Sequence, residues 1–414
     1  MDIRPINKPH FHGHNPLITT AVFLDERVLL NKAILDVAAL DAPQIIMSNN
    51  KDERRERLNK SAISFALGYI SPFITLPLSN RLVMSKVVKL SKNFTSSENK
   101  LIQLSFKYLD NKLNTQKGIE LLSKELKTDF SGIINKFGGD YEKIRQKLIN
   151  AKCIVLGSDM LFTAGSIGSL GFYNNWQTKK LTRQDGYSAE FKMADKDIVE
   201  KRAQKYKKSE PFRKGLFAGI LTLLAASPLI LKKGLNAKTA SKFSNIISKL
   251  ASKFDYTDGI FMKRLTFFMA TIGIYSGITL ASRNQTELKD NIIRSSVSMA
   301  TFFGGDIVIG SILGKLSDKY LKTDIINKNA DKNFLNKIIP PVRPLKELEG
   351  RSRKIGAGLF WANLALLSGI IGYGTPHLIN KMIKHDVSKS AQNEPKQNKF
   401  SIIKSEAFKE FLEK

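Results

Sequence analysis

Residues 215–231 read GLFAGILTLLAASPLIL, with Lys214 immediately before them and Lys232 immediately after. Over nearly five helical turns the only polar side chains are Thr222 and Ser227. A buried helix of a water-soluble protein normally keeps one polar face, so a stretch that is apolar all round belongs either to a deep core or to a bilayer. Crossing a ~30 Å hydrocarbon layer takes roughly 17–25 apolar residues, and basic side chains at the ends can reach back to the headgroups. The stretch satisfies both conditions.

Working outward with the charges as boundaries, five more segments emerge: 61–80, 153–178, 265–282, 295–314 and 355–380. The third, fourth and sixth in chain order (215–231, 265–282 and 355–380) are the cleanest. Two carry an internal acid, Asp159 in the second and Asp306 in the fifth. The expected fold is therefore all-α: a polytopic helical membrane protein with about six hydrophobic helices and long basic helical connectors. Its organisation follows as a polar or amphipathic region 1–60, a helical membrane domain 61–380, and a polar linker with a short amphipathic helix in 381–414.

The 66 Lys and Arg against 37 Asp and Glu leave a net charge of +29. Such an excess calls for an anionic neighbour, either nucleic acid or a phospholipid surface. The positive charge is spread over every connector rather than gathered with aromatics, which argues against nucleic acid and makes an anionic bilayer the expected partner. Residues 1–17 contain Pro5, Pro9 and Pro16 and no apolar core, so a secretory signal is not expected there. A bacterial cytoplasmic membrane is the expected location.

With six spans, alternate sides would receive 32 and 34 basic residues. The usual cytoplasmic bias of Lys and Arg is missing, which suggests that not every segment spans. Pro72, Pro77 and Pro228 mark places where a segment could bend, and the two Asp-containing segments are expected to be the least regular.

Glycines four apart occur as Gly215 and Gly219, Gly273 and Gly277, and Gly310 and Gly314, with Gly165, Gly168 and Gly171 along another segment. Small residues at this spacing let helix backbones approach closely, within the chain or between copies of it. Segments two, four and six share Phe-x-Ala followed by a glycine seven positions on (Phe162, Phe268 and Phe360 lead the three), which hints at three related helix pairs.

Chemistry-bearing motifs are few. His10, His12 and His14 alternate, but on a proline-containing terminus without further ligands they read as a tail, so no metal site is expected. The single cysteine, Cys153, excludes an intrachain disulfide. Asp36 and Asp41, ahead of the charged run Lys51–Arg57, read as helix-end residues. No nucleophile–base or phosphate-loop pattern is present, so neither a catalytic residue nor a cofactor is expected. Asp306, near the middle of its segment, and Asp159 are the expected polar or ion sites, because an intramembrane carboxylate is costly unless it serves a partner or a solute. The expected function is a non-enzymatic membrane scaffold or organiser, with a secondary transporter or channel using Asp306 as the alternative.

Overall fold

The structure is a computed structural model, and it describes residues 15–88, 106–109, 115–126, 129–136, 138–191, 194–236, 242–251, 253–257, 261–330 and 334–393. The alternating histidines and the 400–414 amphipathic helix lie outside the described residues.

Among the described residues the chain is all-helical save for two two-residue strands, Tyr256–Thr257 and Phe261–Met262, paired antiparallel. In chain order the helices are α1 (Pro16–Asp25), α2 (Val28–Leu35), α3 (Ala42–Ile46), α4 (Lys51–Phe65), α5 (Pro72–Val83), α6 (Thr115–Leu126), α7 (Phe130–Lys136), α8 (Tyr141–Thr182) and α9 (Lys196–Lys207). They continue with α10 (Glu210–Leu235), α11 (Lys242–Ala251), α12 (Arg264–Leu280), α13 (Gln285–Met299), α14 (Asp306–Leu321), α15 (Phe334–Ile338), α16 (Gly350–Gly369) and α17 (Thr375–Asn393). Short π-helical stretches join α2 to α3 (Asp36–Asp41), α13 to α14 (Ala300–Gly305) and α16 to α17 (Ile370–Gly374), and another (Ala66–Ile70) succeeds α4.

Four helical runs are long and apolar enough to cross a membrane: α8, α10, α13 with α14 (Gln285–Leu321), and α16 with α17 (Gly350–Asp386). A fifth is the bent pair α4 and α5, broken by 43° at Ser71, just before Pro72. The count of about six is not confirmed: α12, in the 265–282 segment, is a shorter apolar helix of 17 residues, at the lower limit for a span. The irregularity falls partly where the sequence places it: the Asp306 segment carries the π stretch Ala300–Gly305, whereas the Asp159 segment runs through as one helix and Pro228 sits inside an unbroken α10. The bend belongs to the first segment, where Pro72 opens a new helix and cannot donate to the previous turn.

Helix α8 is the axis of the bundle. Its C-terminal half touches α10 antiparallel, Gly157 against Ala225 and Gly168 against Phe217, and α12 in parallel, Ala164 against Gly273 and Gly168 against Gly277. It crosses α4 antiparallel, with Asn59 near Asn174 and Gly68 on Ile167. Its N-terminal turns leave the bundle and carry a small helical cap in which Phe106, Leu109, Leu122, Phe130 and Ile144 share one core. A buried ion pair fixes the junction: Lys152 Nζ lies 3.1 Å from Asp255 Oδ1, and Asp255 also accepts from the Phe106 backbone N–H. A second layer stands beside it, with α16 packed on α14 and α1, and Trp361 donating to the Leu17 carbonyl.

Candidate functional site

The expected glycine contacts divide sharply by position. A Cβ at Gly277 would sit 2.7 Å from the backbone of Gly168, and one at Gly273 would sit 2.6 Å from Ala164 Cβ. Gly314 lies tight against Ile326, whereas Gly310 has only ordinary contact with Asn363 and Val342. Gly215 and Gly219 face open space.

Asp159 lies on the wall of a central cavity of about 190 Å³, bordered by α2, α4, α8, α12, α13 and the loop after α8. Tyr256 donates to Asp159 at 2.8 Å. Asp306 does not line this cavity. Its carboxylate is paired with Arg264 and accepts from Asn363 Nδ2 at 2.9 Å. It occupies the first residue after the π stretch, tying α12, α14 and α16 together. The two acids that the sequence singles out are therefore not brought together.

Most of the cavity's charge comes from residues that the sequence pattern assigns to connectors. Along α4, Glu53, Glu56, Arg57, Lys60, Ser61 and Ser64 recur at three- and four-residue steps and so share one face; along α13, Glu287, Asp290, Asn291, Arg294 and Ser295 do the same. The two helices correspond residue for residue at a spacing of 234. Asn50, Glu53, Ser61, Ser64 and Ala66 recur as Asn284, Glu287, Ser295, Ser298 and Ala300, while Glu56 and Lys60 become Asp290 and Arg294.

The local structure repeats with them. Asn50 and Asn284 are N-caps whose side chains accept from the Glu53 and Glu287 backbone N–H groups. Each glutamate reaches back to the preceding turn, accepting from the Asn49 and Arg283 backbones at 2.6 Å. Each resembles a capping box, shifted so that the glutamate meets the residue before the N-cap rather than the N-cap itself. Each helix then passes into a π stretch at the equivalent alanine, Ala66 or Ala300.

The facing stripes interlock. Arg283 donates to Glu56 and Glu287 at 2.8 Å each, Arg57 pairs with Glu53, and Arg294 pairs with Asp290. Tyr187, from the loop after α8, donates to Asp290, and Thr178 donates to Glu56 at 3.0 Å. Burial disfavours the Arg283 charge, but Glu287 and Glu56 outweigh it and hold the guanidinium firmly protonated. For Tyr187, burial and then Asp290 push the phenol well above its ordinary value.

Deeper in the cavity, Asp36 and Asp41 stand at the end of α2 and the start of α3, and the π stretch 36–41 between them brings both into the cavity lining instead of using them as side-chain caps. Lys32 and Tyr69 both bond Asp36, and Ser61 donates to Asp41 at 2.5 Å. Burial pushes the Lys32 ammonium down to about 7 and raises the Asp41 carboxyl. A π turn inserts an extra residue and rotates the residues beyond it, a device common at functional sites.

Along α8 the cavity is lined by Asp159, Thr163 and Ile167, so it borders about 12 Å of that helix, and Thr178 reaches its rim by bonding Glu56. Comparison with protein-family models, with curated proteins and with solved structures returns no match for this chain.

Proposed function

We propose that the chain is a multi-pass membrane protein that binds a small polar solute inside its helical bundle, as a secondary transporter or channel does. One observation carries this reading: a cavity between the helices is walled by ionisable side chains, and it reaches Asp159 within the apolar part of α8. Ionisable groups at such depth are expensive and collect where a solute or ion passes. A scaffold acts through its outer surface and has no use for a charged lumen. On this reading Asp159, not Asp306, is the acid on the solute's path, and Asp306 with Arg264 is a structural clasp. The chemistry is binding and passage, without an enzymatic step.

The scaffold reading keeps one observation of its own. Gly215 and Gly219 face open space on α10, between the exposed Phe212 and Leu223, as a face for a second copy would. Contact of the basic connectors with anionic headgroups, and a bacterial cytoplasmic membrane as location, complete the proposal on sequence grounds.

The test is water access. Replace Cys153 with Ala, place a single cysteine at Ser64 or Ser295, reconstitute into liposomes, and add a small membrane-impermeant thiol reagent. Rapid labelling from one side supports a solute path. Labelling no faster than that of a cysteine at the buried Leu156 position would return the chain to the scaffold reading.

A further inference from the structure

We infer that the solute is a soluble oxyanion, a carboxylate or a phosphate, seated between Lys60 of α4 and Arg294 of α13. The inference deepens the solute-binding reading and rests on it.

Glu53, Glu56, Glu287 and Asp290 face Arg57, Lys60, Arg283 and Arg294, so the eight groups balance. All four carboxylates are engaged: Glu53 by Arg57, Glu56 and Glu287 by Arg283, and Asp290 by Arg294 and Tyr187. A cation binding at these four would have to displace a guanidinium from its carboxylate; the cavity's other acids, Asp36, Asp41 and Asp159, are held by Lys32, Tyr69, Ser61 and Tyr256. The cations are less completely used. Lys60 makes no hydrogen bond or contact ion pair among the described residues, although it lines the cavity. Arg294 binds Asp290 through Nε, and its Nη1 is buried without a partner among the described residues. An unsatisfied buried donor costs about 1–3 kcal/mol, more when charged, so this guanidinium N–H, closed off from solvent here, gains from any acceptor that the cavity admits close to Arg294.

The two cations occupy equivalent places in the two corresponding helices, and each is followed by a serine, Ser61 or Ser295. Arg294 repels Lys60, though less than Glu56, Glu287 and Asp290 attract it, and an anion shared between the two cations removes that repulsion. Ser64 and Ser295 line the same space, and among the described residues their hydroxyls are bonded to nothing. Two cations with spare N–H groups, and two hydroxyls that can each donate, make donors the majority here, and their complement is a charged group that accepts.

The experiment is calorimetric titration of the full-length protein in lipid nanodiscs with inorganic phosphate, succinate and choline as probes. One of the two oxyanions should bind, and which one assigns the class. Lys60→Met should weaken that binding at least tenfold, as expected for loss of a charged hydrogen bond. Lys60→Arg should stay within about threefold of the parent, and Lys214→Met, outside the cavity, should change nothing. Protection of Cys153 from a thiol dye shows that each variant is folded. Binding of choline, undisturbed by Lys60→Met, would overturn the oxyanion assignment and leave the solute reading standing. Binding of none of the three would overturn both.

Discussion

At the crossing of α8 and α12, Gly277 presses on Gly168 so closely that a methyl group at Gly277 would stand 2.7 Å from the Gly168 carbonyl carbon, Cα and oxygen. Ordinary contact begins near 3.4 Å, and the opposing atoms are backbone, so no side chain can rotate away. Gly277→Ala therefore has to push two helices apart by several tenths of an ångström along the bundle axis. Overpacking of this kind costs about 1–3 kcal/mol, and the rigid opposing backbone places this site at the upper end. Gly219→Ala is the matched control, because its methyl group meets nothing within 4 Å. The same substitution in the same kind of helix should there be neutral or slightly stabilising, since alanine outranks glycine as a helix former by up to ~1 kcal/mol. Cys153 supplies the assay. It is the only thiol in the chain, is buried, and donates to the Pro228 carbonyl at 3.2 Å, so a thiol-reactive dye reads global unfolding at one site. Heated in detergent, Gly277→Ala should expose Cys153 at a clearly lower temperature than the parent, with Gly219→Ala unmoved. Equal midpoints for Gly277→Ala and the parent would refute the close crossing, and with it the parallel pairing of α8 and α12.

Three more outcomes rest on the polar contacts. Asp255→Asn should cost about 3–5 kcal/mol by stranding the buried Lys152, and adding Lys152→Met should recover part of it; limited proteolysis between 106 and 136 would report loosening of the cap. Asp306→Asn should leave solute binding unchanged in nanodisc titrations, because Asp306 touches Arg264 and Asn363 rather than the cavity, and its half-exposed pair should cost no more than ~1 kcal/mol in thermal unfolding. Glu287→Gln weakens both a helix cap and one arm of the Arg283 bridge and should destabilise more than Asp306→Asn, whereas Lys196→Gln, at an exposed pair with Glu200, should be silent in the same unfolding assay.

The fold is legible in the sequence and the site is not, for one cause: charge marks the ends of apolar segments but not the ends of helices. Lys214 and Lys232 do bracket an apolar stretch, and the helix found there extends only a few residues past each. By the same rule Lys51–Lys60 and Arg283–Arg294 fall in connectors, because each is dense in charge. Helices α4 and α13 run straight through those boundaries, carrying on one face the ionic residues that line the cavity, while Lys51, Asp52, Arg54, Arg55 and Lys289 point elsewhere. A signal exists in the sequence: Asn-x-x-Glu capping patterns at 50 and 284, each leading into polar residues at helical steps and matching at a constant spacing. The repetition expected among segments two, four and six lies in apolar residues, whereas the correspondence that builds the cavity lies in polar ones, at the entrances of the first and fifth. Asp36, Asp41 and Tyr69 carry no comparable signal, since their inward direction depends on π turns that no local pattern announces. Asp306 fails as a site for the opposite reason. A central carboxylate needs a partner, and Arg264, at the boundary of a connector in the sequence, is that partner.

The short helix α12 poses the remaining problem of architecture, since its 17 residues sit at the lower limit of roughly 17–25 for a span. Its surroundings resolve it. Lipid matching constrains helices that meet lipid, and α12 has eight residues buried along its length, including Ala270, Gly273, Ile274 and Gly277, enclosed by α8, α10 and α13. Helix α10 is the contrast, with only 22% of its apolar window buried and Leu223 largely exposed. A helix walled in by protein can be short because polar backbone beyond its ends is met by protein groups: Arg213 donates to the Leu280 and Ser282 carbonyls at 2.6 Å, and Thr266 donates to the Asp255 carbonyl. The difference is measurable. In a background with Trp176 and Trp361 replaced by Phe, a single tryptophan at Leu223 should be strongly quenched by brominated acyl chains, and one at Ile274 should be nearly unquenched. Equal quenching at the two positions would place α12 against lipid, and a helix of that length would then have to thin the bilayer around it.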